Sequence, residues 1–162
     1  MQDYSNFRGN RNNSTTRSPQ KDKQPVDLTV RDKNGTVMNF KTSWITDGAD
    51  QEMVDYTDEA GKRMKNGNLT ASQIRNIYGE IKRIQIGGYE KNKASFLLLQ
   101  PKLAYIVGRT EAKSRGNSEG IRVYQDIFIK AAKLVNDEKS YQNFCNLMEA
   151  LVAYHKYYGG KD

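Results

Sequence analysis

An all-α fold, a compact bundle of four to five helices, is predicted by three features of the sequence. From about Asp47 onward apolar residues recur at three- and four-residue spacing, the signature of helices with one buried face. Glycines near Gly67, Gly87-Gly88 and Gly116, with a charged stretch around Asn136, divide that region into helix-length pieces. A T-x-x-Q capping box, Thr70 with Gln73, opens one of the pieces.

Taken in order, residues 1–25 come first, rich in Asn, Ser, Arg and Gln with hardly any apolar side chains. Such a segment cannot offset the entropy of ordering and is expected to be a disordered basic tail. Its five cations (Arg8, Arg11, Arg17, Lys21, Lys23) against Asp3 and Asp22 carry +3 of the chain's net +7. Residues 26–46 form an extended, hairpin-like segment, with Val26, Leu28 and Val30 alternating before Asn34-Gly35 and a second run from Val37 to Phe40. Two strands alone are marginal in water, so this piece docks on the body, pairs with another subunit, or stays partly loose.

The helical bundle occupies residues 47–162. A first helix over 50–65 places Met53, Tyr56, Ala60 and Met64 on one face. The second begins at Thr70 and carries Ile74, Ile77, Ile81 and Ile84. A third runs over 94–113, with Pro101 either kinking it or standing in the first turn of its second half. The fourth starts near Ser118 and carries Ile121, Tyr124, Phe128, Ala131 and Val135. The last covers 140–158 and stops at Gly159-Gly160.

Composition narrows the function. A net charge of +7 over 162 residues favours a polyanionic partner, because clustered Lys and Arg displace counterions from phosphates. The single cysteine, Cys145, precludes an internal disulfide. Apolar runs such as Phe96 to Leu99 are far too short to cross a bilayer, and the N-terminus lacks an apolar export segment. A cytoplasmic protein with no membrane partner is expected.

Catalytic and metal-ligand sets are missing. Cys145 and His155 fall on one predicted helix, about 15 Å apart along its axis, too far for a dyad. With neither CxxC nor HExxH, one His and one Cys cannot fill a zinc site, and no phosphate loop is present. Asp55, Asp58 and Glu59 read as a solvated acidic face. His155 falls within about 20° of Phe144 on the helical wheel and reads as a packed core histidine. No catalytic residue, metal ligand or cofactor is expected.

Basic stripes are the features left for function. On the second helix Arg75, Gly79 and Lys82 lie at i, i+4 and i+7, the two cations about 20° apart. Gly79 serves either close approach of another backbone or packing against a neighbouring helix. The third helix has the cleaner stripe, with Lys102, Arg109 and Lys113 within about 40° of one another opposite Ala104 and Gly108. On the fourth, Asp126 interrupts Arg122, Lys130 and Lys133, giving ordinary solvated charge. No base-reading motif accompanies the stripes, so contacts would go to phosphate and ribose without sequence preference. Tyr105, Tyr154, Tyr157 and Tyr158 are aromatics suited to stacking bases, or to core and interface packing.

Three segments carry a resemblance: Leu69-Thr70-Ala71-Ser72-Gln73-Ile74-Arg75, Leu99-Gln100-Pro101-Lys102-Leu103-Ala104-Tyr105-Ile106-Val107-Gly108-Arg109, and the stretch from Phe144 through Ala153-Tyr154-His155-Lys156-Tyr157-Tyr158. In order and spacing they resemble the small subunit of the type III-A CRISPR effector, the Csm complex. The resemblance spans about 50–162. It implies an all-helical, non-enzymatic subunit of a prokaryotic antiviral ribonucleoprotein, present in several copies. The implied partners are crRNA and target RNA, copies of itself, and the backbone and large subunits of the effector. By position it marks Arg75, Lys102, Arg109 and Lys156 as RNA contacts, while Lys82 and Lys113 come from the wheel alone. The other reading is a protein–protein spacer whose basic faces meet neighbouring subunits.

Overall fold

The computed structural model describes residues 24–114 and 117–161. Of the expected tail at 1–25, residues 1–23 lie outside the described residues, as does the break at Gly116. Within them the chain forms a mainly helical bundle preceded by a two-stranded hairpin, β1 (Val30–Arg31) and β2 (Val37–Met38), paired antiparallel with Val30 opposite Met38. The turn is wider than a two-residue Asn-Gly loop. The Asp32 carboxylate accepts the backbone N–H groups of Asn34 and Thr36, each at 2.8 Å, and Gly35 adopts φ +83°.

Of the alternatives for the hairpin, docking on the body is the one observed. Leu28 and Val30 are buried, as their alternation requires, and the Tyr56 hydroxyl donates to the Leu28 carbonyl at 2.9 Å. One turn of helix follows, α1 (Ser43–Thr46), inside the segment expected to be extended. Its Trp44 and Ile45 are buried; Trp44 packs on Tyr56 and Nε1 donates to Asp50.

Five longer helices make the bundle: α2 (Gln51–Asn66), α3 (Ala71–Gly87), α5 (Leu99–Lys113), α6 (Glu119–Ala132) and α7 (Glu138–Tyr157). A short α4 (Lys93–Leu97) precedes α5. The single third helix expected over 94–113 is therefore two, parted at Leu98, and Pro101 stands in the first turn of α5, where a missing N–H costs nothing. The last helix starts earlier than 140, because Asp137 and Ser140 form a reciprocal capping box. The Thr70–Gln73 box caps α3 as predicted.

Helices α2 and α7 form the central pair. A Cβ on Gly61 would sit 2.6 Å from the Tyr154 Cβ and 2.9 Å from the His155 nitrogen, so glycine sets how closely they approach. Helix α3 runs antiparallel to α7, tied by the Tyr141 hydroxyl to the Ile81 carbonyl at 2.8 Å and by His155 Nε2 to the Leu69 carbonyl. Tyr89, Phe96, Phe128, Tyr141 and Phe144 stack or meet edge-to-face, joining α4, α6 and α7 and the turn after α3 around one core. No described helix is long and apolar enough to cross a membrane.

Candidate nucleic-acid interface

Helix α5 buries Leu99, Leu103 and Val107 and leaves Lys102, Arg109 and Lys113 exposed beside that stripe. On α3 the buried isoleucines are flanked on one side by Gln73, Asn76 and Glu80. These two flanks face each other, and the Gln73 amide bridges them by donating to Thr110 Oγ1 at 3.2 Å.

Between the helices runs a groove in two parts. The first, of about 510 Å³, lies at the start of α3 and is lined by Ser72, Gln73, Thr110, Arg109 and Lys113. The second, of about 720 Å³, has Ile77, Leu98 and Pro101 in an apolar lining and Lys102 on its edge. Asn76, Tyr105, Ile106 and Arg109 belong to both.

The groove is cationic. The side chains of Lys102, Arg109 and Lys113 make no ion pair or hydrogen bond among the described residues. Glu80 is the one acid lining either part, and it pairs at 3.0 Å with Arg83 on its own helix. That hydrogen bond, more than Lys102 nearby, holds its carboxyl below the usual range. An anion entering the groove therefore meets three cations and one neutralised acid.

The other three cations expected at the site lie elsewhere. Lys82 Nζ is 3.1 Å from a carboxylate oxygen of Glu149 on α7. Arg75 shares its azimuth on α3, and Lys156 stands two turns beyond Glu149; both are exposed. The six cations thus divide between the α3–α5 groove and the α3–α7 flank. A Cβ on Gly79 would meet nothing within 4 Å, so packing against a neighbouring helix of this chain is not its role. Gly108 is equally open.

Among the four tyrosines, Tyr158 donates its hydroxyl to Asp58, which pushes its pKa up to about 12, and Tyr154 is half-buried over Gly61. Tyr157 is exposed but lines neither part of the groove. Tyr105 alone is both exposed, at 69%, and at the groove. Spacing on one helix cannot reveal that placement, nor that Gln73, Asn76 and Thr110 would join it.

Of the remaining chemistry-bearing groups, Cys145 and His155 lie in the core. Cys145 is buried, and burial pushes its thiol up to about 11. His155 is 1% exposed. Asp55, Asp58 and Glu59 line a cleft of about 930 Å³ with Lys41 and Lys62. Among the described residues no three of His, Cys, Asp and Glu are grouped to hold a metal ion.

Comparison with known proteins bears on residues 47–161, which match the family described as Csm2 Type III-A. The chain is also 32% identical over 124 residues to a protein of Streptococcus thermophilus named CRISPR system Cms protein Csm2, covering 70% of this chain and 96% of that one. No solved structure matches.

Proposed function

The chain belongs to the Csm2 Type III-A family, the small subunit of the type III-A Csm complex, and we propose that within that effector it is a non-catalytic RNA-binding subunit, contacting crRNA and target RNA without sequence preference. The observation that carries this reading is the alignment of Lys102, Arg109 and Lys113 along the α3–α5 groove with no partner among the described residues. Cations held in a row on a rigid helix, facing one carboxylate that Arg83 already pairs, suit a phosphodiester backbone. Residues 47–162 are the unit that does this, in a prokaryotic cytoplasmic complex for antiviral defence, beside copies of itself and the backbone and large subunits. Lys82 serves as a weaker contact, since Glu149 already holds it.

One observation favours the spacer reading. Ile86, at the end of α3, is 87% exposed, and Leu97 and Leu98 at the α4–α5 junction are also exposed. Such apolar side chains suit contact with neighbouring subunits. The two readings separate in the assembled complex. Reversing Arg109 and Lys113 to Glu lowers RNA affinity and its salt dependence while subunit composition holds if the groove binds RNA. If the groove meets protein, the same change dissociates subunits and leaves RNA protection intact in what survives.

A further inference from the structure

Tyr105 presents an aromatic ring where a basic groove needs no aromatic for stability. It is 69% exposed, makes no ring contact or hydrogen bond among the described residues, and lies between the polar and apolar parts of the groove. By contrast Tyr56, Tyr89, Tyr124 and Tyr141 are buried. Lys102 precedes it by three positions and Arg109 follows by four, so a cation stands about one turn to either side on the same face of α5. Ile106, Ile77, Leu98 and Pro101 share the groove lining with the ring and are its apolar part. The Asn76 amide, with both donors and an acceptor, is on the facing wall.

We propose that Tyr105 is a stacking platform for an unpaired nucleobase, with Lys102 and Arg109 holding the phosphates on either side of that nucleotide. This rests on the RNA-binding reading above and adds what part of the RNA the groove takes. A base inside a continuous duplex has both faces covered by its neighbours and offers nothing to an exposed ring. A base turned out of the stack offers a free face, and Ile77, Leu98 and Pro101 give it apolar surface to cover. Every base has such a face, so the subsite needs no sequence preference. The cationic rim selects a nucleotide over a protein side chain, because two phosphates neutralise it where an apolar side chain would not.

The test uses the full-length chain, alone and in the assembled complex, with a single-stranded RNA, the same RNA in a perfect duplex, and the single strand carrying one abasic position. Tyr105→Ala is expected to weaken single-strand binding roughly tenfold and duplex binding not at all, while Tyr105→Phe binds like the parent. The abasic strand should bind the parent more weakly and Tyr105→Ala no worse than the intact strand does. Equal losses on single strand and duplex, or no loss on either, overturn the stacking role while leaving RNA binding in place. Loss of subunits from the complex with RNA affinity unchanged overturns it in favour of a protein occupant. Absence of salt-dependent binding by the parent, alone and assembled, overturns the RNA reading itself. Circular dichroism of the variants confirms that an exposed substitution leaves the helices intact.

Discussion

His155 Nε2 and the carbonyl oxygen of Leu69 lie 2.7 Å apart, a hydrogen bond across 86 positions that pins α7 to the linker just ahead of the Thr70 cap. The contact closes further from the C-terminal side, where a Cβ on Gly160 would fall 2.1 Å from the imidazole Cε1. Removing the ring orphans a buried carbonyl and opens a cavity. His155→Ala should cost about 2 to 4 kcal/mol in chemical denaturation, and Gly160→Ala should also destabilise by displacing the ring.

The same contact sets a pH dependence. Burial, which outweighs the Leu69 hydrogen bond, holds the His155 pKa below its ordinary 6.5. As pH falls below 6.5 the unfolded chain therefore takes up a proton before the folded one. This contribution to stability is complete above that value and is lost as pH falls toward the lower folded pKa. Denaturation midpoints compared at about pH 7.5 and about pH 5.5 should diverge in the parent, and less so in His155→Gln.

Two glycines of opposite kind give a paired test. A Cβ on Gly67 would lie 2.3 Å from the Gly120 nitrogen, backbone against backbone, where neither side can yield. Gly67→Ala should lower the melting temperature sharply or prevent folding. Gly79 sits mid-helix with open space around it, so Gly79→Ala should add up to about 1 kcal/mol of stability through helix propensity. A loss of RNA or subunit binding in that more stable variant would show that an outside backbone approaches there; unchanged binding would show that none does.

Among the tyrosines, removing a hydroxyl should have effects of opposite sign. The Tyr56 and Tyr141 hydroxyls donate to the carbonyls of Leu28 and Ile81, and each Tyr→Phe change should cost about 1 kcal/mol. The Tyr124 hydroxyl is buried without a partner among the described residues, and burial raises its pKa. Tyr124→Phe should be neutral or stabilising, since it removes a desolvated group that gains nothing. A loss comparable to Tyr56→Phe in thermal melts would mean that a partner is present after all.

How much of this could be read from the chain follows the range of each interaction. The isoleucine stripe and capping box of α3, the packing of His155 and the alternation of Leu28 with Val30 are short-range patterns, and each names its buried face. Helix α1 has four residues, too few to show a period, and is held by Trp44 and Ile45 in the core. The start of α7 was hidden because its box is Asp-x-x-Ser, without the Glu or Gln usual at the third position. Just ahead of the break at Leu98, Phe96 enters the aromatic cluster, a long-range contact that spacing does not show. For the site, the spacing of Lys102, Arg109 and Lys113 shows that they share a face. Which helix that face meets, and that Glu149 engages Lys82 from 67 positions away, are properties of packing alone.

That division of the cations leads to a graded prediction for RNA binding. Each cation that neutralises one phosphate contributes about 0.7 to 0.9 to the slope of log affinity against log salt. Lys102→Ala, Arg109→Ala and Lys113→Ala should therefore each weaken binding and flatten the slope by nearly one unit, with little change in stability because none has an ion pair or side-chain hydrogen bond to lose among the described residues. Lys82→Ala should flatten it less, since that ammonium already shares its charge with Glu149 at 3.1 Å. The exposed pair stabilises the fold by less than about 1 kcal/mol, so Glu149→Gln should barely move the melting temperature. It does release Lys82, and if the α3–α7 flank touches RNA, Glu149→Gln should tighten binding and steepen the slope. Filter binding across a salt series with the four Ala variants and Glu149→Gln decides between one RNA path and two. A Glu149→Gln slope equal to the parent's confines RNA to the α3–α5 groove, and a steeper one extends its path across α3 to Lys82.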